Sequence, residues 1–180
     1  MPAANPCTLR PHWLNQPEVD SYPTTLDWLF DQGSLTQRLS ALAHGDFSIE
    51  PLAQGWQPLR DDECSALDVP PGSVGWVREV YLCGHRQHWV FARSVVTKAA
   101  LDNSDFSLEQ LGSRSLGEVL FQDPAFARRP IQACHYPVEW LPPGLTRADL
   151  WVRRSRFDRG ELAVLVAEVF LPDLWRATHP

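Results

Sequence analysis

Gly75-Trp76-Val77-Arg78-Glu79-Val80-Tyr81-Leu82-Cys83 runs into Gly84-His85-Arg86-Gln87 and returns as His88-Trp89-Val90-Phe91-Ala92-Arg93-Ser94-Val95-Val96. Two runs of β-branched and aromatic residues joined by a short polar turn predict a β-hairpin, and therefore an antiparallel sheet. The C-terminal part repeats the pattern: residues 150–157, a turn at Asp158-Arg159-Gly160, then residues 162–171 closed by Pro172. Short helices surround these strands. One is expected over residues 26–30 after Thr25. A second starts at Ser34, with Leu35, Leu39 and Leu42 on one face, Gln37 completing a capping-box spacing and Gly45 as its stop. Residues 107–111 and 115–121 show the same serine spacing to Gln110 and Glu118. Prolines 124, 130, 137, 142 and 143 break residues 122–149, within which a short strand near 131–134 fits. The fold class is thus α+β: an antiparallel sheet built from hairpins, with short helices covering an internal ligand site. Residues 1–22 read as an irregular N-terminal tail and 23–180 as a single domain.

The 180 residues suit one core. A formal net charge of −6 argues against nucleic acid, since that partner needs a basic field. Two helices joined at Asp31-Gln32-Gly33 suggest a helix-turn-helix, but neither helix is basic. Cys7, Cys64, Cys83 and Cys134 form no Cys-x-x-Cys pair, so no zinc or redox motif is expected. His85 and His88 sit in a turn rather than on a helix and make a poor metal pair; no metal site is assigned. The start lacks a signal peptide and no apolar run would span a bilayer, so the chain is expected to be cytoplasmic, without stable membrane insertion.

Period-two alternation puts charges where they do not belong. Arg78 shares a face with Trp76, Val80 and Leu82. Glu168 shares one with Val164, Val166 and Phe170, and the opposite face of that strand is equally apolar. A buried unpaired charge is costly, so such residues pair, bind ligand or both. The two readings are a structural salt bridge between Arg78 and Glu168, or an arginine fork for a carboxylate beside a carboxylate facing a hydroxyl. The run Arg153-Arg154-Ser155-Arg156 has charges on both faces of its strand. It reads as a solvated edge, with one arginine able to point inward to an anion.

Residues 75–80, 111–121 (Leu-Gly-Ser-Arg-Ser-Leu-Gly-Glu-Val-Leu-Phe), 151–156, 166–172 and the early Asp27-Trp28-Leu29 to Ser34-Leu35-Thr36-Gln37-Arg38 resemble, in order and spacing, the chorismate pyruvate-lyases. The similarity covers roughly residues 24–130 and 150–174, and 134–149 reads as an insertion. The resemblance implies a lyase without cofactor, converting chorismate to 4-hydroxybenzoate and pyruvate at the entry to ubiquinone synthesis. It implies a site shielded by helices that move for slow product release; a monomer is expected, though nothing in the sequence fixes the oligomeric state. By matching position, Arg78 and Glu168 are the catalytic pair, Arg78 on the ring carboxylate and Glu168 facing the ring oxygen. Leu35 and Leu116 line the site and offer amides at helix starts; the family pattern has methionine where this chain has Leu35. A non-catalytic module binding a hydroxybenzoate-like ligand is the alternative. An enzyme for another aromatic carboxylate, or a regulator carrying a separate basic DNA-binding segment, follows.

Overall fold

The computed structural model describes residues 5–105 and 116–178. The hairpin quoted above forms β2 and β3 of the structure once one unforeseen strand is counted. Its turn is made by His85 and Arg86, both with positive φ (51° and 59°), the twist that two-residue hairpin loops require. Among the described residues there are seven strands: β1 (Phe47–Pro58), β2 (Val74–Gly84), β3 (Gln87–Thr97), β4 (Ala127–Arg128), β5 (Gln132–His135), β6 (Trp151–Arg159) and β7 (Leu162–Phe170). All pair antiparallel in the order β1-β2-β3-β7-β6-β4, with β5 also on β6. The helices are α1 (Pro23–Leu29), α2 (Leu35–Leu42), α3 (Asp61–Ala66), α4 (Lys98–Asp102), α5 (Leu116–Gln122) and α6 (Pro172–Thr178). The α+β class and the hairpins are as expected.

Several local expectations are corrected. β1 and α3 carry no sequence pattern that predicts them. β1 is an edge strand of mostly exposed residues interrupted by Pro51 and Gly55, with a register shift between Pro51 and Ala53, so no alternation marks it. α3 opens on Asp61-Asp62-Glu63 and has no apolar stripe; the Glu63 carboxylate accepts the Arg60 amide at 2.9 Å. Pro172 ends β7 but also starts α6, where its missing N–H is no loss. α1 begins at Pro23, ahead of Thr25, for the same reason. Ser34 does cap α2, its hydroxyl accepting the Gln37 amide at 3.3 Å. The helix expected over 107–111 and the cap at Ser115 lie outside the described residues.

Both faces of the sheet are covered. On one, Val80, Leu82, Val90, Ala92 and Phe170 pack against Trp28 and Leu29 of α1, Leu35 and Leu39 of α2 and Leu174 of α6. Val96 and Val164 continue that face under Leu116 and Leu120 of α5. On the other, Tyr81, Phe91, Val152 and Val169 lie beneath Tyr136, Trp140 and Leu150. Val77, Val95 and Leu165 lie beneath Cys64 of α3. The N-terminal segment adds Leu14, bridged to Ala133, and Val19, which is buried in the first core.

Candidate functional site

Cross-strand register sets the first row of the site. Arg78 on β2 lies opposite Ser94 on β3, Ser94 opposite Val166 on β7, and Val166 opposite Ser155 on β6. The next row on the same face is Val80, Ala92, Glu168 and Arg153. Arg78 and Glu168 are therefore two strands and one pleat repeat apart, about 12 Å between backbones by standard strand spacings. Side chains of this length, pointing to one face, leave a small gap between them.

That gap is a covered cavity of about 40 Å³. Its lining includes Arg78, Val80, Ser94, Val166 and Glu168 from the sheet, Thr36 from α2, and Leu116 and Gly117 from α5. The structure thus brings Arg78, Glu168 and Leu116 together. Leu35 is buried one residue before Thr36, in the core beside the cavity rather than on its wall. Burial lowers the pKa of the Arg78 guanidinium. An arginine set among aliphatic walls gains from a carboxylate that restores its lost solvation.

The structural salt bridge weighed for Arg78 and Glu168 is not the pairing found. Glu168 accepts from Arg153 Nε at 2.6 Å, and Arg153 is the residue opposite it on β6. The solvated edge read for residues 153–156 is likewise overturned. β6 is flanked by β7 on one side and by β4 and β5 on the other, and Arg153 is 1% exposed. Sequence reasoning also missed Arg128. Its guanidinium gives two hydrogen bonds to Ser155 Oγ, at 3.0 and 2.8 Å, and one to the Gln32 carbonyl at 3.3 Å. Burial first, then neighbouring Arg153, pushes it down to about 10.

The opposite face carries a second buried charge cluster. Arg93 donates from Nε to Glu63 Oε1 at 2.6 Å and from Nη1 to Glu79 Oε1 at 2.9 Å. Burial alone would lower the Arg93 pKa; the two carboxylates overcome it and hold the pKa raised. This cluster is separated from the cavity by the sheet. Its missing signal was α3, whose Glu63 no periodicity revealed.

Among the described residues, the ligand-type group with donor atoms within 4.8 Å of one another is Glu50, Cys83 and His88, outside the cavity. His88 contacts Glu50 at 3.1 Å while His85 turns to Asp46 at 3.6 Å, so the two histidines do not converge. Burial raises the Cys83 thiol pKa, which disfavours the thiolate a metal would need. No described helix is long and apolar enough to cross a membrane.

The chorismate lyase family model matches residues 8–179. A protein named probable chorismate pyruvate-lyase 2 from Pseudomonas fluorescens (strain Pf0-1) is 61% identical over 174 residues, covering 96% of this chain and 95% of that one. A probable chorismate pyruvate-lyase of Pseudomonas aeruginosa (strain UCBPP-PA14) is 63% identical over 164 residues, covering 91% and 92%. Among solved structures, PhnF from Mycobacterium smegmatis matches with a TM-score of 0.54 at 13% identity, covering 79% of this chain and 65% of that one. The gene product SA0254 of Staphylococcus aureus matches at 0.52 and 10% identity, covering 79% and 90%. At such identities the likeness is one of fold alone.

Proposed function

The chain belongs to the chorismate lyase family, and we propose that it eliminates pyruvate from chorismate in the cavity between Arg78 and Glu168. The observation that carries this reading is the placement of those two charges on opposite sides of one covered, otherwise mostly apolar cavity. A ring with a carboxylate at one end and an oxygen at the other matches both ends at once.

In the proposed reaction the C3–O bond to the enolpyruvyl group breaks and the C4 hydrogen leaves as a proton. The ring becomes 4-hydroxybenzoate. The enolpyruvyl fragment takes up a proton overall and departs as pyruvate, so atoms balance without oxidant or reductant. Aromatisation supplies the driving force, and the protein's part is orientation and electrostatics. Arg78 holds the ring carboxylate by charge-assisted hydrogen bonds. Glu168 accepts from the C4 hydroxyl and polarises it. Leu116 and Gly117 of α5 line the substrate space, and Leu35 supports it from the core, one residue before Thr36.

A cavity of about 40 Å³ holds a few water molecules rather than a substituted ring. Substrate entry and product release therefore require α2 and α5 to move away from the sheet, and product release is the slow step. The reading includes a cofactor-free, monomeric enzyme in the cytoplasm, feeding 4-hydroxybenzoate into ubiquinone synthesis.

The test is to incubate the protein with chorismate after exhaustive chelation and to quantify 4-hydroxybenzoate and pyruvate. Equal amounts of both are expected, with turnover falling at least about a hundredfold in Arg78→Ala and Glu168→Ala. Tight 4-hydroxybenzoate binding with no turnover would make the chain a binding module instead.

A further inference from the structure

Glu168 does not stand alone in the cavity wall. Its Oε2 is taken by Arg153 Nε at 2.6 Å, while Oε1 makes no hydrogen bond among the described residues. Arg153 has a second set of partners: Nη1 donates to the carbonyls of Trp28 at 3.2 Å and Asp31 at 3.1 Å. Those carbonyls belong to the end of α1 and the connector that leads into α2. The connector is held as a unit, because Arg38 of α2 reaches back to Asp31 at 3.2 Å and stacks over Trp28 at 3.7 Å. Leu35 and Thr36 follow directly, and Thr36 lines the cavity.

We propose that Arg153 is a positioning residue: it fixes which oxygen of Glu168 faces the ligand and fastens that carboxylate to the segment that covers the cavity. This rests on the reading of Glu168 as the group facing the ring oxygen. A glutamate on a strand has three rotatable side-chain bonds, and a short charge-assisted bond to a nearly inaccessible guanidinium removes most of that freedom. The partner is fixed in turn by two backbone carbonyls, so its orientation does not depend on a mobile side chain. Arg153 itself lies behind Glu168 and touches no substrate. Its effect is selectivity for a ligand bearing oxygen opposite the carboxylate, since the Arg78 end of the site is built from other strands.

The experiment compares equilibrium binding of 4-hydroxybenzoate and benzoate, two probes that differ by one hydroxyl, to the wild-type chain and to Arg153→Met, Arg153→Lys and Glu168→Gln. The wild type should prefer 4-hydroxybenzoate. Arg153→Met should cut that preference about tenfold while changing benzoate affinity less than about threefold, because only the oxygen end is loosened. Arg153→Lys, which keeps the charge but not the fork, should fall between and serves if the methionine variant does not fold. A folded Arg153 variant that weakens both probes equally, or neither, overturns the positioning role. If Glu168→Gln also retains the full preference, the fault lies in the assignment of Glu168 rather than in the link to Arg153.

Discussion

Asp62 lies beneath the sheet with Oδ2 3.5 Å from Arg154 and Oδ1 without a hydrogen-bond partner among the described residues. Trp13, Arg60, Glu63 and Arg154 surround it. Burial, then repulsion from Glu63, pushes its carboxyl up to about 6 from an ordinary 3.8. The folded state thus binds this proton more tightly than the unfolded chain. Stability from this group is full below about pH 4 and declines as pH rises through about 6. With the attraction of Arg154 already included, the charged form costs on the order of 3 kcal/mol at neutral pH. Asp62→Asn should therefore stabilise the protein by about 1–2 kcal/mol at pH 8 and by almost nothing at pH 4, read from urea unfolding at each pH. An equal gain at both would contradict the burial argument. At this scale Arg78 and Glu168 were legible, because a charge among β-formers on an apolar face stands out. Arg153 was not. Three arginines in four residues look like a solvated edge, and nothing local reveals that β4 and β5 cover it.

The β2–β3 hairpin was legible as an element because its strands carry strong β-formers and its turn is polar. The price of that turn is visible only in the backbone: Arg86 holds φ at 59°, a region glycine enters without penalty. Arg86→Gly should raise stability by about 0.5–1 kcal/mol, seen as a rise of about 1–4 °C in Tm. A lower Tm would mean that the arginine side chain contributes more than the turn strain takes away. β1 escaped notice for the opposite reason. Its prolines, glycine and exposed residues carry no period, and it is a strand because β2 offers it an edge. Short helices such as α3 and α6 are similarly fixed by what they cap or cover rather than by propensity.

At the scale of the whole molecule, the sheet separates two buried charged clusters, and each face has its own roof. The segment read as an insertion supplies Tyr136, Trp140 and, just after it, Leu150 to the second face, away from the cavity. The cavity face is roofed by α1, α2 and α5, so the two charges that stand out in the sequence, Arg78 and Glu168, line one cavity beneath that roof. Sequence could identify those residues and the family pattern could suggest their roles. The distance between them required the register of three strands, and the cover above them required the packing of the helices. The central claim is that this cavity, once its helical cover has moved, holds the aromatic ring between Arg78 and Glu168. It is tested most directly by a crystal structure of the protein grown with 4-hydroxybenzoate. The account predicts the ring inside the cavity, carboxylate on the Arg78 guanidinium and phenolic oxygen within hydrogen-bond reach of Glu168. Product bound outside the cavity, or seated with its ends reversed, would contradict it.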